Sequence, residues 1–319
     1  MIKQRPFGTI ADPVDTPKGI FISTFDSAPL APDQDFIVTG QGTAFQKGLD
    51  VLKRLTSGAV HLGLNARRDN APSAVFTEAK GVEKHWFHGK HPAGNVGVQI
   101  HHISPIAGND KVWTLGVQEV ISIGRLFLDK KFDASRVIAL TGAELESPAY
   151  VRTYLGANIG DLLGSTVKEG VRFVSGDVLS GKQKRKEEFL DYGDDQVTTL
   201  REGNEYDMFG WLLPGGARPS TSKTFLSGLM DISYVAETNT HGEKRAFVVT
   251  GQYEKVLPMD IYPQHLMKAI LVNDFERMEG LGINELLEED VALCEFACTS
   301  KQPLQQILRQ GLEVMREQA

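Results

Sequence analysis

The stretch KVWTLGVQEVISIGRLFLDKKFDASRVIAL, residues 111–140, decides the fold. Two short apolar, β-branched runs, Lys111–Leu115 and Arg136–Leu140, flank an amphipathic run, Val117–Lys131. Strand, helix, strand in that order is a β-α-β unit, and such units build largely parallel sheets covered on both faces. Outward toward the N-terminus the same texture holds. Gly19–Phe25 (GIFISTF) is expected as a buried strand, and Ala59–Leu64 as another. Between them Thr43–Leu55 places Phe45, Leu49, Leu52 and Leu55 on one helical face, with Thr43 as the expected N-cap.

Past Gly142 the elements shorten. Strands are expected at Ala149–Leu155 and Val171–Val174 around a short helix, Ile159–Leu163, a compact arrangement that suggests a β-grasp module. Lys182–Glu188 (KQKRKEE) is expected as a solvated charged loop, because Glu187 and Glu188 dilute its positive charge. Further strands are expected near Gln196–Leu200 and Met208–Leu213. From Tyr262 onward helices dominate. Pro303 fits a first helical position, and Leu304, Ile307, Leu308, Leu312 and Met315 share one face of the closing helix.

Composition narrows the function classes. A chain of 319 residues exceeds what one core usually serves, so two or three domains are expected. The net charge of −7 disfavours a general nucleic-acid binder, which needs a basic surface to release counterions. Two cysteines, Cys294 and Cys298, are too few for a secreted disulfide scaffold and point to a reducing compartment. The N-terminus carries no signal-peptide core and no segment has the composition of a lipid-facing span.

Three constellations are candidates for chemistry. Gly40-Gln41-Gly42 precedes a helix and could cradle a phosphate, but Phe45 stands at the third fingerprint position and no ribose-binding acid follows at the required distance. A tight turn at the start of a helix is the default. Five of the eight histidines, His85, His88, His91, His101 and His102, crowd into 85–102. Their H-x2-H-x2-H spacing matches no helical i,i+4 pair, on a strand His85 and His88 would point to opposite faces, no cysteine or carboxylate pair joins them, and no metal site is expected. The third constellation is a motif without its chemistry. The four-iron spacing C-x2-C-x2-C-x3-C-P, laid on FVVTGQYEKVLP, falls on Phe247, Thr250, Tyr253 and Leu257, with Pro258 following. Laid again downstream it falls on Glu288, Val291, Cys294 and Cys298. Only two of those eight positions can supply a thiolate, so neither could hold a cluster. Apolar side chains at these positions are expected to fill the space a cluster would take.

The segment HPAGNVGVQIHHISPI, residues 91–106, closely resembles a stretch of the A subunits of the bacterial sodium-translocating NADH:quinone reductase. The resemblance continues in order through 112–127, 136–142, 151–162, 175–181, 209–215, 251–263 and 287–298, nearly the whole chain. Relatives with intact cysteine motifs would be the C subunit of the Rnf complex and, more distantly, the flavin subunit of respiratory complex I.

The resemblance implies an α/β fold: a Rossmann-like domain over 1–141, a β-grasp (SLBB-like) module over 142–190, and a mixed, mainly helical segment over 191–319 resembling a ferredoxin-like bundle without clusters. It implies a peripheral subunit on the cytoplasmic face of the inner membrane, docked on the membrane subunits, with quinone as a further candidate partner. It implies no cofactor in this chain and no catalytic residue; FAD, FMN, riboflavin and iron–sulfur centres would sit in other subunits. The favoured contact segment is His91, Pro92, Ala93, Gly94 and Gly97, whose uncharged, turn-forming backbone could approach a quinone or partner closely. Family members begin with a lipoyl-like domain, whereas Met1–Phe7 resembles a point inside the α/β domain, so a shortened N-terminus is expected. The competing expectations are a soluble flavin- or NAD-dependent oxidoreductase, resting on Gly40-Gln41-Gly42, and an Rnf-type electron carrier, against which the missing cysteines argue.

Overall fold

The computed structural model describes residues 2–67, 71–164, 167, 170–203, 205 and 235–318. The strand expected near Met208–Leu213 lies outside them.

The described chain forms two mixed sheets and a helical bundle. The first sheet contains β1 (Lys3–Arg5), β2 (Thr9–Ile10), β3 (Gly19–Ser23), β4 (Val60–Asn65), β5 (Glu83–Phe87) and β6 (Val112–Leu115), in the order β2-β1-β6-β3-β4-β5. The strands from β6 to β5 run parallel, and β1 and β2 add an antiparallel edge. Two short helices, α1 (Gln34–Ile37) and α3 (Ala74–Thr77), are capped by the side chains of Asp33 and Ser73. Alternation along β3 fixes what covers each face. Ile20 and Ile22 pack with Phe45, Leu49 and Leu52 of α2 (Gly42–Leu52) and with Val117, Val120 and Ile121 of α5 (Val117–Asp129). Phe21 turns the other way, onto Ile100 of α4 (Val96–Ile103). The expected helix over Thr43–Leu55 is therefore present but shorter. Gln41 takes the cap position without a side-chain bond, Thr43 lies in the first turn, and Leu55 is exposed beyond the last turn.

The second sheet contains β7 (Ser135–Gly142), β8 (Ala149–Tyr154), β9 (Val171–Ser175), β10 (Lys182–Lys184) and β11 (Gln196–Arg201), in the order β10-β9-β11-β7-β8. Helix α6 (Ile159–Leu163) packs its Ile159 and Leu163 against Ile138, Leu140 and Val197 of this sheet. Three expectations are corrected. The strand 136–140 does not close a β-α-β unit with β6; it pairs in parallel with β11, in the second sheet. The strand 196–200, expected after residue 190 outside the β-grasp module, lies in the middle of that sheet. The expected charged loop 182–188 opens as an edge strand paired with β9. Sequence order suggests neighbours, but both edges of β6 are taken, by β1 and β3; the Gln118 side-chain amide donates to Val137 O at 2.8 Å and its oxygen accepts from Val137 N–H at 2.9 Å. Both backbone groups of Val137 are thereby satisfied by a side chain of α5 rather than by a strand of the first sheet.

The bundle contains α7 (Pro263–Leu271), α8 (Phe275–Gly280), α9 (Glu288–Ala297) and α10 (Leu304–Gln318). Leu304, Ile307, Leu308 and Leu312 are buried on one face of α10 and Met315 packs beside them; Pro303 sits just before the helix. Helix α4 lies between sheet and bundle: Ile100 faces the sheet, while Val98 belongs to the bundle core. Arg5 pins the same junction from β1. Its guanidinium is buried and reaches Asp290 at 2.8 Å and Glu289 at 2.7 Å.

Candidate functional site

In an open parallel sheet, ligands bind outside the carboxyl ends of strands at the point where the connections diverge. Here β3 leads by its crossover to β4 on one side, while β6 lies on its other side, so the divergence falls between β3 and β6. A crevice of about 260 Å³ opens there. Ser23, Phe25 and Asp26 line it from the end of β3, and Thr114, Leu115 and Gly116 from the end of β6. The second sheet closes it with Asp177, Ser180, Tyr192 and Asp195, and the bundle adds Glu289. All three parts of the described chain therefore contribute.

The crevice is acidic. Asp26, Glu119, Asp177, Asp195 and Glu289 line it against a single cation, Lys3. Arg136, just outside the lining, meets Asp195 at 2.7 Å and Glu119 at 2.6 Å. Burial still pushes the Asp195 carboxyl up to about 6; Arg136 opposes the shift and Glu119 adds to it. Burial also raises Asp26, against a backbone hydrogen bond from Ala28. Walls of this charge disfavour a phosphate.

His91 and Gly94 line the crevice. A cis peptide joins His91 to Pro92. His91 Nδ1 lies 3.1 Å from Ser27 Oγ, which also accepts from Gly94 N–H at 2.8 Å. His91 Nε2 is buried with no hydrogen-bond partner among the described residues. Burial lowers the His91 pKa, with Asp177 opposing, so the ring is neutral near pH 7. The glycines allow close internal packing. A Cβ on Gly94 would stand 2.5 Å from Ser27 N, and one on Gly97 would stand 2.4 Å from Asp290 Oδ2. Close approach is thus used for packing against the β3 loop and the bundle, and His91 is the member of the segment that offers a polar side chain to the crevice. Pro92 is buried and Ala93 half-buried.

The other candidate residues fall elsewhere. Gly40 has φ +74° and turns the chain into α2, and Gln41 Oε1 accepts from Arg125 at 2.8 Å, away from the crevice. The five clustered histidines disperse. His101 Nε2 accepts from Asp260 N–H at 3.0 Å, so its Nδ1 donates to Glu285 at 2.8 Å. His102 donates to Pro258 O at 2.9 Å. His85 instead meets His61, 3.1 Å away across the sheet.

Of the eight cluster-spaced positions, Tyr253, Leu257, Val291, Cys294 and Cys298 are buried in the bundle core and Phe247 packs against it. Tyr253 Oη lies 2.9 Å from Cys298 Sγ, and both cysteines are free thiols. Burial pushes the Cys294 thiol up to about 12, which keeps it protonated and unreactive. Thr250 and Glu288 are the exceptions. Thr250 is exposed, and Glu288 pairs with Arg309 at 2.5 Å. The acids of the crevice were missed in the sequence because they are single residues scattered from 26 to 289, assembled only by topology.

Residues 1–132 match the family described as NqrA second alpha/beta domain, and residues 137–186 match the NQRA C-terminal domain. The chain is 41% identical over 315 residues to the A subunit of a Na(+)-translocating NADH-quinone reductase from Alcanivorax borkumensis, covering 98% of this chain and 69% of the relative. It is 37% identical to the A subunit from Yersinia pseudotuberculosis, over 99% of this chain and 71% of the relative. The A subunit from Pasteurella multocida is 38% identical over 99% of this chain and 71% of its own length. The chain belongs to the family of Na(+)-translocating NADH-quinone reductase A subunits. Among the described residues no helix is long and apolar enough to cross a membrane.

Proposed function

We propose that this chain is a peripheral subunit of a Na(+)-translocating NADH-quinone reductase and takes part in that complex without a redox centre of its own. The carrying observation is identity of 37–41% to A subunits of that enzyme along almost the entire chain. The enzyme activity is that of the complex, and this subunit docks on its membrane partners from the cytoplasmic face. FAD, FMN, riboflavin and iron–sulfur centres belong to the other subunits. The first sheet, through α5, is a Rossmann-like domain; the second sheet, from Ser135, is a β-grasp (SLBB-like) module; the bundle is a ferredoxin-like domain whose cluster space is filled by side chains. These boundaries move strand 135–142 and strand 196–201 out of the units 1–141 and 191–319 in which the sequence placed them.

The contact site is the crevice, with His91 as its polar anchor and Pro92, Ala93, Gly94 and Gly97 as the turn that holds it. The neutral His91 ring, with Nδ1 against Ser27 Oγ and a buried Nε2 that no described residue meets, favours an uncharged ligand that accepts a hydrogen bond, such as a quinone carbonyl. Two measurements test the proposal. The purified chain, co-expressed with the other subunits, is expected to co-purify with them, and alone to contain neither flavin nor iron. Stoichiometric iron or flavin in the isolated chain, or failure to associate, would overturn it.

A further inference from the structure

We propose that His61, Glu83 and His85 form a binding site for one zinc-like divalent ion on the outer strand pair of the first sheet. The parallel register sets His61 opposite Glu83 and Gly63 opposite His85. Residues 83 and 85 are two apart on β5, so both side chains leave the same face of the sheet, the face His61 also uses. Opposite His85, the place of a Gly63 side chain is filled by Gln99, whose Oε1 would stand 2.0 Å from a Cβ there.

The result is a set of three donors, and the two separations from His61 are close to those around a tetrahedral ion. His61 Nδ1 lies 3.1 Å from His85 Nε2 and 3.4 Å from Glu83 Oε2. The three donor atoms all lie within 4.8 Å of one another. Zinc bonds of about 2.0–2.1 Å at tetrahedral angles place neighbouring ligand atoms about 3.3 Å apart. The two measured edges bracket that value. Phe21 stacks on the His61 ring at 4.5 Å between centroids and fixes its plane, which limits the ordering cost of binding.

Donor chemistry selects the ion. Two imidazoles and one carboxylate suit zinc, nickel or cobalt; magnesium and calcium require oxygen-rich shells, and copper(I) prefers sulfur. The Glu83 side chain is 62% exposed, against 12% for His61, so the fourth position faces solvent and would be filled by water. Zinc brings no redox chemistry, so the site is compatible with a subunit that carries no electrons. Without an ion, the same three atoms could share a proton between the two rings, and the experiment separates these cases.

Metal-stripped full-length chain is titrated with Zn2+ in competition with a chromophoric chelator. One ion per chain is expected, and His85→Ala should weaken binding by at least about tenfold, equivalent to about 1.4 kcal/mol. Glu83→Gln, at an exposed side chain, should weaken it in the same direction with the far-UV circular dichroism unchanged. If His85→Ala disturbs the fold, the Glu83→Gln result stands alone as the test. Absence of stoichiometric binding, or binding that neither substitution alters, would overturn the site and leave a proton-bridged histidine pair.

Discussion

The crevice between the sheets and the core of the bundle treat buried polarity differently. The bundle surrounds two thiols with Tyr253, Leu257, Val291, Leu266 and Met267, and Tyr253 Oη meets Cys298 Sγ at 2.9 Å. The crevice instead gathers five acids around one lysine and leaves a histidine nitrogen without a partner among the described residues. Burying carboxylates costs stability, and a packed apolar core contributes to it.

The largest expected effect tests the pin between the regions. Arg5→Met leaves Asp290 buried without its countercharge, and burial already raises the Asp290 pKa. A loss of about 3–5 kcal/mol is expected in urea unfolding, the usual cost of breaking a buried pair from one side. A loss below about 1 kcal/mol would mean that Asp290 is neutral and the pin ornamental. Next is Leu257→Ala in the bundle, where the side chain is 3% exposed. A cost of about 2–5 kcal/mol is expected in the same assay, because the vacated volume cannot collapse. An unmoved midpoint would show that the cluster-spaced residues do not form a packed core.

The smallest of the three stability effects is a pH dependence confined to the crevice. Asp195 has a folded-state pKa of about 6, raised above the ordinary aspartate value of 3.8. A raised acid contributes stability that is full below the unfolded pKa and is lost as pH rises through the folded one. The native chain should therefore lose stability relative to Asp195→Asn between about pH 4 and 6, with little further change above. Parallel stability curves for the two proteins across that window would show that Arg136 dominates and Asp195 stays ionised.

What could be seen in the sequence follows from how local the cause was. The strand Gly19–Ser23 and helix Ile159–Leu163 were legible because their apolar pattern is local. The bundle positions Tyr253, Leu257, Val291, Cys294 and Cys298 were legible as one buried set because a motif spacing tied them together. The partner of strand Ser135–Gly142 was not, since the edge of β6 it would have joined is taken by β1, a three-residue strand too short to carry a periodic signal. Nor was the pairing of His85 with His61, because the nearest histidines in sequence are not neighbours across a parallel sheet. In segment 91–97, the contacts of Gly94 with Ser27 and of Gly97 with Asp290 were not legible, since no spacing rule reports them.

The direct test sets the two regions against each other in the assembled complex. NADH-quinone reductase activity is measured, as kcat and KM for a short-chain quinone, in complexes carrying either His91→Ala or Cys294→Ala in this chain, well below the unfolding temperature. The account predicts that His91→Ala raises the quinone KM by about tenfold, the effect of losing one or two hydrogen bonds, while Cys294→Ala leaves both parameters unchanged. An unchanged KM for His91→Ala together with a fall in kcat for Cys294→Ala would contradict it, and would place the working site in the bundle.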